Sequence, residues 1–519
     1  MAQAVETVKG KLGTVLLIVL GAITVLSVGV CLYLTFSGGE TVEPKLVLYE
    51  GPKSLGDATP ADLETAPENK RDITLKHCTD TAISVNGYDA FVYDTNVNNG
   101  HTWSSDYIPA LSRTPMTYFD FEGKAQIKIT LTEAELTSAV VTPKRYGIQP
   151  KVDAKNKTIE FTVTEPGFYT VELNGSIERA IHIFANPIEQ NPPKQGDEGV
   201  VYIGPGEWNI DTIDVEDGQT LYLAGGAVVH GMVRAKNVNN VKILGRGIID
   251  GSYNPTWKGT SALLPMIIDG CDGVEVEGII LLNSNAWVVN SLQTSNATLS
   301  NIKIISCRPN GDGISLQSCK NYTVQNSFVR SWDDSLVVKN YADSTEGIHF
   351  KGVTIWTDLA QSMEVGYETN RGNTPDAFIK DVSFEDITVL HNFHKPVISI
   401  HNADDALIEG VTYKNITVED AAMGAGDAGD NKQLIDIAIV KNDNWSTTQE
   451  RGQVRDVTID GVTVLGGSFP PSRIIGYDDT HTVEGVTIKN LQILGKRIAS
   501  FEEGQFEIDS QSTKNIVIE

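Results

Sequence analysis

The feature that most constrains this chain is a recurrence of very short β-type segments through everything after residue 200. VEVEGIILLNS (274–284), NIKIISCRP (301–309), YTVQNSFVRS (322–331), IHFKGVTIWT (348–357) and VSFEDITVLHN (382–392) belong to a series whose starts lie mostly 21 to 33 residues apart. Each holds two or three runs of four to six residues, too short and too rich in Val, Ile and Thr for helices. A unit of this size cannot bury its apolar side chains alone, so it must stack on its neighbours. The pattern predicts a right-handed parallel β-helix over 196–519. One longer interval, between Val411 and Val457, holds an extra strand at 434–440 and a loop near 421–427 thrown over one face.

The first part of the chain has a different rhythm. Over 72–195, alternating segments at 82–85, 90–93, 125–130, 158–163, 169–173 and 180–184 are separated by turns such as Asn86-Gly87 and Asn174-Gly175. Short strands at this spacing predict an antiparallel β-sandwich. Residues 37–71, rich in Pro, Gly and acidic side chains, read as a tether with a strand at 45–49. Residues 12–36 form a run of 25 without a charge, preceded by Lys9 and Lys11 and followed by Glu40 and Glu43. A run of that length predicts one transmembrane helix, with 1–11 in the cytosol and the bulk outside the cell; a cleaved signal peptide is the alternative. The fold class expected is therefore all-β, sandwich then β-helix, behind one membrane anchor.

Charge narrows the partners. The net charge is −26, from 67 acidic against 41 basic residues. That argues against nucleic acid and anionic membrane surfaces, and leans against a polyanionic substrate. The cysteines Cys31, Cys78, Cys271, Cys307 and Cys319 show no metal-binding spacing and read as small apolar side chains. No nucleotide loop, Ser/His/Asp motif or zinc motif occurs, so no cofactor or metal is implied. Six glycosylation-type sequons begin at Asn156, Asn174, Asn296, Asn321, Asn415 and Asn444, and Asn is in any case a favoured solenoid turn residue.

Three aspartates stand out within the repeat. Asp312 lies in Asn310-Gly311-Asp312-Gly313, and Asp333-Asp334 follow 21 and 22 residues later. If that interval is one coil, the three carboxyls meet on adjacent strands ~4.8 Å apart. Carboxyls so crowded cannot all ionise freely, and a protonated acid beside an ionised base is what glycosidic hydrolysis requires. Asp-Gly and Asp-Asp are also ordinary turn chemistry. Coil spacing, with Trp332 adjacent and Lys339 just after, favours a site.

This stretch resembles the polygalacturonase family, glycoside hydrolase family 28, which shows N-T-D and then D-D one coil later. The run from Asp333 to Lys339 is similar to the D-D-x-x-x-x-K form of exo-acting relatives. The resemblance implies Asp333 as general acid, with Asp312 and Asp334 holding the attacking water. Two other family motifs differ. Asp358–Ser362, followed by Met363–Glu368, stands where G-H-G is expected, and Val397–His401 stands where R-I-K is expected. In the family that Arg and Lys bind the substrate carboxylate. The dextranase and isopullulanase family, family 49, resembles the chain more closely through its three-aspartate cleft and leading β-sandwich, which implies a neutral α-glucan substrate.

If the register holds, Glu364, Tyr367 and Glu368 share the face of Asp312, with Arg371 close by and His394, Lys395 and His401 one coil on. Together with Trp332 and Lys339 these are the substrate-binding candidates, each weighed against a solvated turn residue. The function expected is an inverting O-glycosyl hydrolase. The alternatives are a pectic hydrolase of polygalacturonase type and a non-catalytic carbohydrate-binding β-helix of adhesin type. A polysaccharide lyase would need a basic proton abstractor, for which no residue stands at the right coil.

Overall fold

Short strands, mostly three per coil and pairing in parallel with their counterparts one coil on, build the region from Val200 to Ile518 into one continuous ladder of 32 strands, with one antiparallel pair near its end at Gln492–Ile493 and Lys496–Arg497. This is a parallel β-helix. The computed structural model describes residues 45–98, 110–255, 263–422 and 432–519. The apolar run 12–36 and most of the loop expected near 421–427 lie outside the described residues. Among the described residues no helix is long and apolar enough to cross a membrane.

The repeat works because the inward positions stay in register. Val274, Ala297, Tyr322, Ile348, Val382, Val411, Val457 and Val486 are successive partners down one column. All eight belong to one apolar core. Beside them Phe350, Phe384 and Tyr413 stack nearly flat at centroid distances of 4.9 Å, which is the coil spacing itself. Asn296 and Asn321 take left-handed turn positions with φ of 53° and 50°, and the Asn321 amide donates to Asn296 at 3.2 Å. These asparagines therefore serve the turns, as their spacing suggests. The extra strand in the long interval forms at Ile435–Ile439.

The front region holds two sheets. Lys151–Asp153, Thr158–Val163, Ala125–Leu131, Thr81–Val85 and Tyr88–Ala90 form an antiparallel five-stranded sheet. The second sheet, of eight strands, centres on Ala110–Phe121, which pairs with Ser176–Pro187 in parallel. That pair departs from the all-antiparallel expectation. Leu46–Leu48 also joins this sheet, so the part of the presumed tether from residue 46 is built into the fold. Ile127, Ile129, Ile159, Phe119, Val171 and Ile183 fill a core shared by the two sheets.

The other face of the eight-stranded sheet lies on the β-helix. Tyr93, Met116, Phe168 and Phe184 join Ile280, Ile305, Phe328, Trp356 and Leu390 in a third apolar cluster. Buried polar pairs cross the same interface, notably Arg246 to Asp120 at 3.1 Å and His391 to Glu172 at 2.7 Å. This contact covers the third strand of the coils from Ile248 to Leu390. The turn that follows that strand carries the aspartates.

Candidate active site

Strand Lys303–Ile305 leads through a turn to Ile314–Gln317, and one coil on Phe328–Ser331 leads to Leu336–Asn340. Ile314 partners Leu336, so the two turns stack. The Gly313 N–H donates to the Asp334 carbonyl at 2.8 Å, which places Asp312 against the Asp333-Asp334 pair. Glycine is needed there, since a Cβ at 313 would lie 2.4 Å from Val329 Cγ1 and 2.5 Å from the Ser335 carbonyl. Hydroxyls pin both turns. Ser306 Oγ accepts the Trp332 N–H at 3.2 Å, and Ser331 Oγ donates to the Asp333 carbonyl at 2.7 Å.

The carboxyls differ in setting. Asp312 lies beneath the surface at 3% exposure, while Asp333 and Asp334 are half-buried. Burial, reinforced by the charge of Asp333 and opposed by Lys339, holds Asp312 far above the usual carboxylate range. Burial likewise raises Asp333, against the pull of Lys395 and the Asp334 N–H. Asp334 is pushed up to about 7 by burial, Asp333 and Glu364, although its Oδ1 accepts the Gln361 N–H at 2.9 Å. All three are thus raised by burial and by one another's charge, which favours paired acid and base chemistry.

Two charged chains flank them. On one side Lys339 Nζ stands 3.8 Å from Asp312 and 3.2 Å from Glu368. Burial disfavours charge on Glu368, but Lys339 and the Tyr341 hydroxyl at 2.9 Å outweigh it and lower its pKa. On the other side Val337, Glu364, Ser399, Asp436 and Arg473 are successive partners across coils. Glu364 accepts from Ser399 and meets His401 Nδ1 at 2.9 Å, while His401 Nε2 meets Asp436 at 3.0 Å. Burial works against the His401 charge, yet Glu364 and Asp436 lift its pKa to about 10. Burial likewise opposes the Asp436 charge, but His401 and the two-pronged Arg473 bring its pKa down to about 2.

The sequence candidates thus separate. Asp312, Asp333, Asp334, Lys339, Glu364 and Lys395 are brought into one electrostatic cluster. Tyr367 is half-buried and stacks on His401 at 4.3 Å. Glu364, His401, Glu368 and Lys339 are buried under the floor, where they hold one another and neighbouring carboxyls, and His394 is buried as well. Trp332 is only 3% exposed. The sequence reading made it a sugar-stacking ring, but its turn folds inward and leaves no open face. Trp287 and Tyr341 are the aromatic residues the sequence reading missed, both half-buried beside Lys339. Trp287 is placed there by the residue after it, Val288, which donates its N–H to the Asp312 carbonyl at 2.8 Å from one coil back. The four described cysteines, Cys78, Cys271, Cys307 and Cys319, are buried. Among the described residues no group of three or more His, Cys, Asp or Glu is arranged to hold a metal ion.

Comparison with known proteins gives this geometry relatives. The model of the family described as Glycosyl hydrolases family 28 matches residues 210–508, which is more than half of the chain and includes all three aspartates. A probable polygalacturonase of Vitis vinifera is 26% identical over 180 residues, covering 31% of this chain and 35% of that protein. A probable endopolygalacturonase D of Aspergillus flavus is 21% identical over 412 residues, covering 70% of this chain and 79% of that protein. The chain thus spans only about a third of the grape relative's length. Among solved structures, Dex49A from Penicillium minioluteum covers 91% of this chain and 98% of its own at a TM-score of 0.56. At 15% identity that likeness speaks for the fold alone.

Proposed function

The chain belongs to glycosyl hydrolases family 28, and from that premise we propose that it hydrolyses glycosidic bonds of an acidic, pectic polysaccharide at the three-aspartate cluster. The observation that carries the reading is the stacking of Asp312 on Asp333-Asp334 across one coil step, through the Gly313 to Asp334 backbone bond. Asp333 donates its proton to the glycosidic oxygen as the C–O bond breaks. Asp334 takes a proton from the water that attacks the anomeric carbon from the opposite side, and Asp312 helps to hold that water. This division of roles yields inversion. The two sheets of the front region with their common core read as a β-sandwich that buttresses the strand feeding the aspartate turn.

The substrate class follows from two supports. The matched relatives are named polygalacturonases, whereas the dextranase likeness extends to fold only. The cleft also carries Lys395 and Arg371, cations that stand among its carboxyls within reach of a substrate carboxylate despite a net charge of −26. A neutral α-glucan, favoured by the missing Arg and Lys of the family motif, is therefore the weaker reading.

The test is release of reducing ends from polygalacturonate, dextran and pullulan by the wild type and Asp333→Asn. Loss of the transferable proton should lower kcat on polygalacturonate by about 10²–10⁴-fold or more. Full turnover in Asp333→Asn would end the assignment of the acid, and cleavage of dextran alone would end that of the substrate.

A further inference from the structure

Beside Asp312, side chains from three places in the chain make a wall that no part of the hydrolytic step uses. Trp287 precedes the strand Val289–Leu292, Tyr341 follows Leu336–Asn340, and Arg371 follows Met363–Thr369. The Trp287 and Tyr341 rings stand perpendicular with centroids 6.5 Å apart. Lys339 Nζ lies 5.0 Å from the Trp287 ring and Arg371 Cζ 5.4 Å from the Tyr341 ring. The Arg371 backbone is tied down by its N–H to the Asn340 carbonyl at 3.0 Å. Gly372 closes the approach, because a Cβ there would lie 2.4 Å from the Tyr341 carbonyl.

The charges on this wall are unevenly paired. Lys339 and Arg371 are both cationic, but Lys339 is held by Glu368 at 3.2 Å and by Asp312 at 3.8 Å, whereas Arg371 meets Glu368 at 3.9 Å. Lys339 is buried, while the Arg371 side chain is 41% exposed. The loosely paired Arg371 charge is thus presented to solvent at the edge of two half-buried aromatic rings. Aromatic faces accept the C–H side of a pyranose, and a planar guanidinium suits a carboxylate.

We propose that Trp287, Tyr341 and Arg371 form a subsite for a uronic acid unit, with the sugar ring against the aromatic pair and its carboxylate on Arg371. The subsite rests on the pectic reading above and supplies a carboxylate anchor in a chain whose Val397–His401 segment offers none. It lies on the Asp312 flank of the cleft, so it holds the sugar unit beside the bond that is cut.

Binding separates this inference from the reading it rests on. In the Asp333→Asn full-length chain, affinity for a galacturonate trimer and for a neutral glucose trimer would be measured by calorimetry, with tryptophan fluorescence as second readout. Arg371→Gln should weaken the galacturonate trimer about 10-fold or more, the size expected for one charge-assisted contact, and leave the neutral trimer unchanged. Arg371→Lys should restore part of the loss, and Trp287→Phe should remove the fluorescence change. Unchanged melting temperature in Arg371→Gln shows the fold is intact. Equal galacturonate affinity in Arg371→Gln, in a protein whose wild type cleaves polygalacturonate, overturns the subsite and leaves the function standing. Binding of the neutral trimer alone removes both.

Discussion

The protonation of three carboxyls decides what this cleft can do, and Asp334 is the one whose titration falls in reach. Its pKa of about 7 is set by burial first, then by Asp333 and Glu364, with Lys339 and the Gln361 N–H acting against them. Glu364 is fully buried and faces the His401 imidazolium, so it acts through Asp334 rather than on substrate. Glu364→Gln removes one negative neighbour, and the acid limb of kcat/KM should move down by roughly half to one pH unit. A limb that stays put would show that Glu364 does not set this titration. The same shift has a stability sign. An acid raised from about 4 unfolded to about 7 folded binds more protons in the folded state between those values, so stability falls as pH rises through that window. Glu368 and Asp436, held low, act oppositely at more acid pH, adding stability that is lost as pH falls through their folded values. The melting temperature should therefore pass its site-derived maximum near about pH 4–5, and Asp334→Asn should flatten the decline above it. Only part of this was legible in the chain. The spacing of Asp312 and Asp333-Asp334 announced the cluster, but a Trp beside an Asp-Asp turn carries no mark of facing inward, as Trp332 does.

At the level of the coil, the site depends on how closely two turns approach. Gly313 sits where the turn before Ile314–Gln317 crosses Val329 and Ser335 of the next coil. Gly313→Ala would force a Cβ into contacts of 2.4 and 2.5 Å, and the stacked turns must part. Overpacking of this kind costs about 1–3 kcal/mol, and displacement of a reacting group by about 1 Å costs about 10²-fold in rate. Expected is a modest fall in melting temperature with a loss of kcat far larger than stability explains. A variant with wild-type kcat would show that the approach of the coils does not fix the carboxyl geometry. Strand placement was readable because β-branched residues alternate against polar ones in every repeat. Trp287 and Tyr341 were not, because turn length varies between coils. The turn that ends in Asp312 is longer than the one that holds Asp333 and Asp334, so alignment by counting drifts until the strands are paired.

For the molecule as a whole, the question is whether the two regions unfold as one. Their interface has an apolar cluster, but its polar pairs are what a substitution can expose. Arg246, with 2% of its side chain exposed, bonds Asp120 from the front sheet, Glu277 at 2.9 Å, and the Pro187 carbonyl at 3.2 Å. Asp120 is itself 1% exposed, and burial already raises its pKa against the pull of Arg246. Such a pair adds little beyond what well-packed apolar residues would, yet removal of one partner strands a buried charge. Arg246→Met should therefore cost about 3–5 kcal/mol, and the double variant with Asp120→Leu should recover much of it. The exposed pair of Arg234 and Asp214, with side chains 42% and 60% accessible, supplies the contrast. Arg234→Met should change stability far less than Arg246→Met. Denaturant unfolding followed by both far-UV and tryptophan signals reads the coupling. The wild type should unfold in one transition, because Phe168, Phe184, Phe328 and Trp356 share a core across the interface. Arg246→Met should split it, with the front region unfolding first. If Arg246→Met proves as mild as Arg234→Met and keeps a single transition, the apolar cluster alone joins the two regions and the buried ion pair does not.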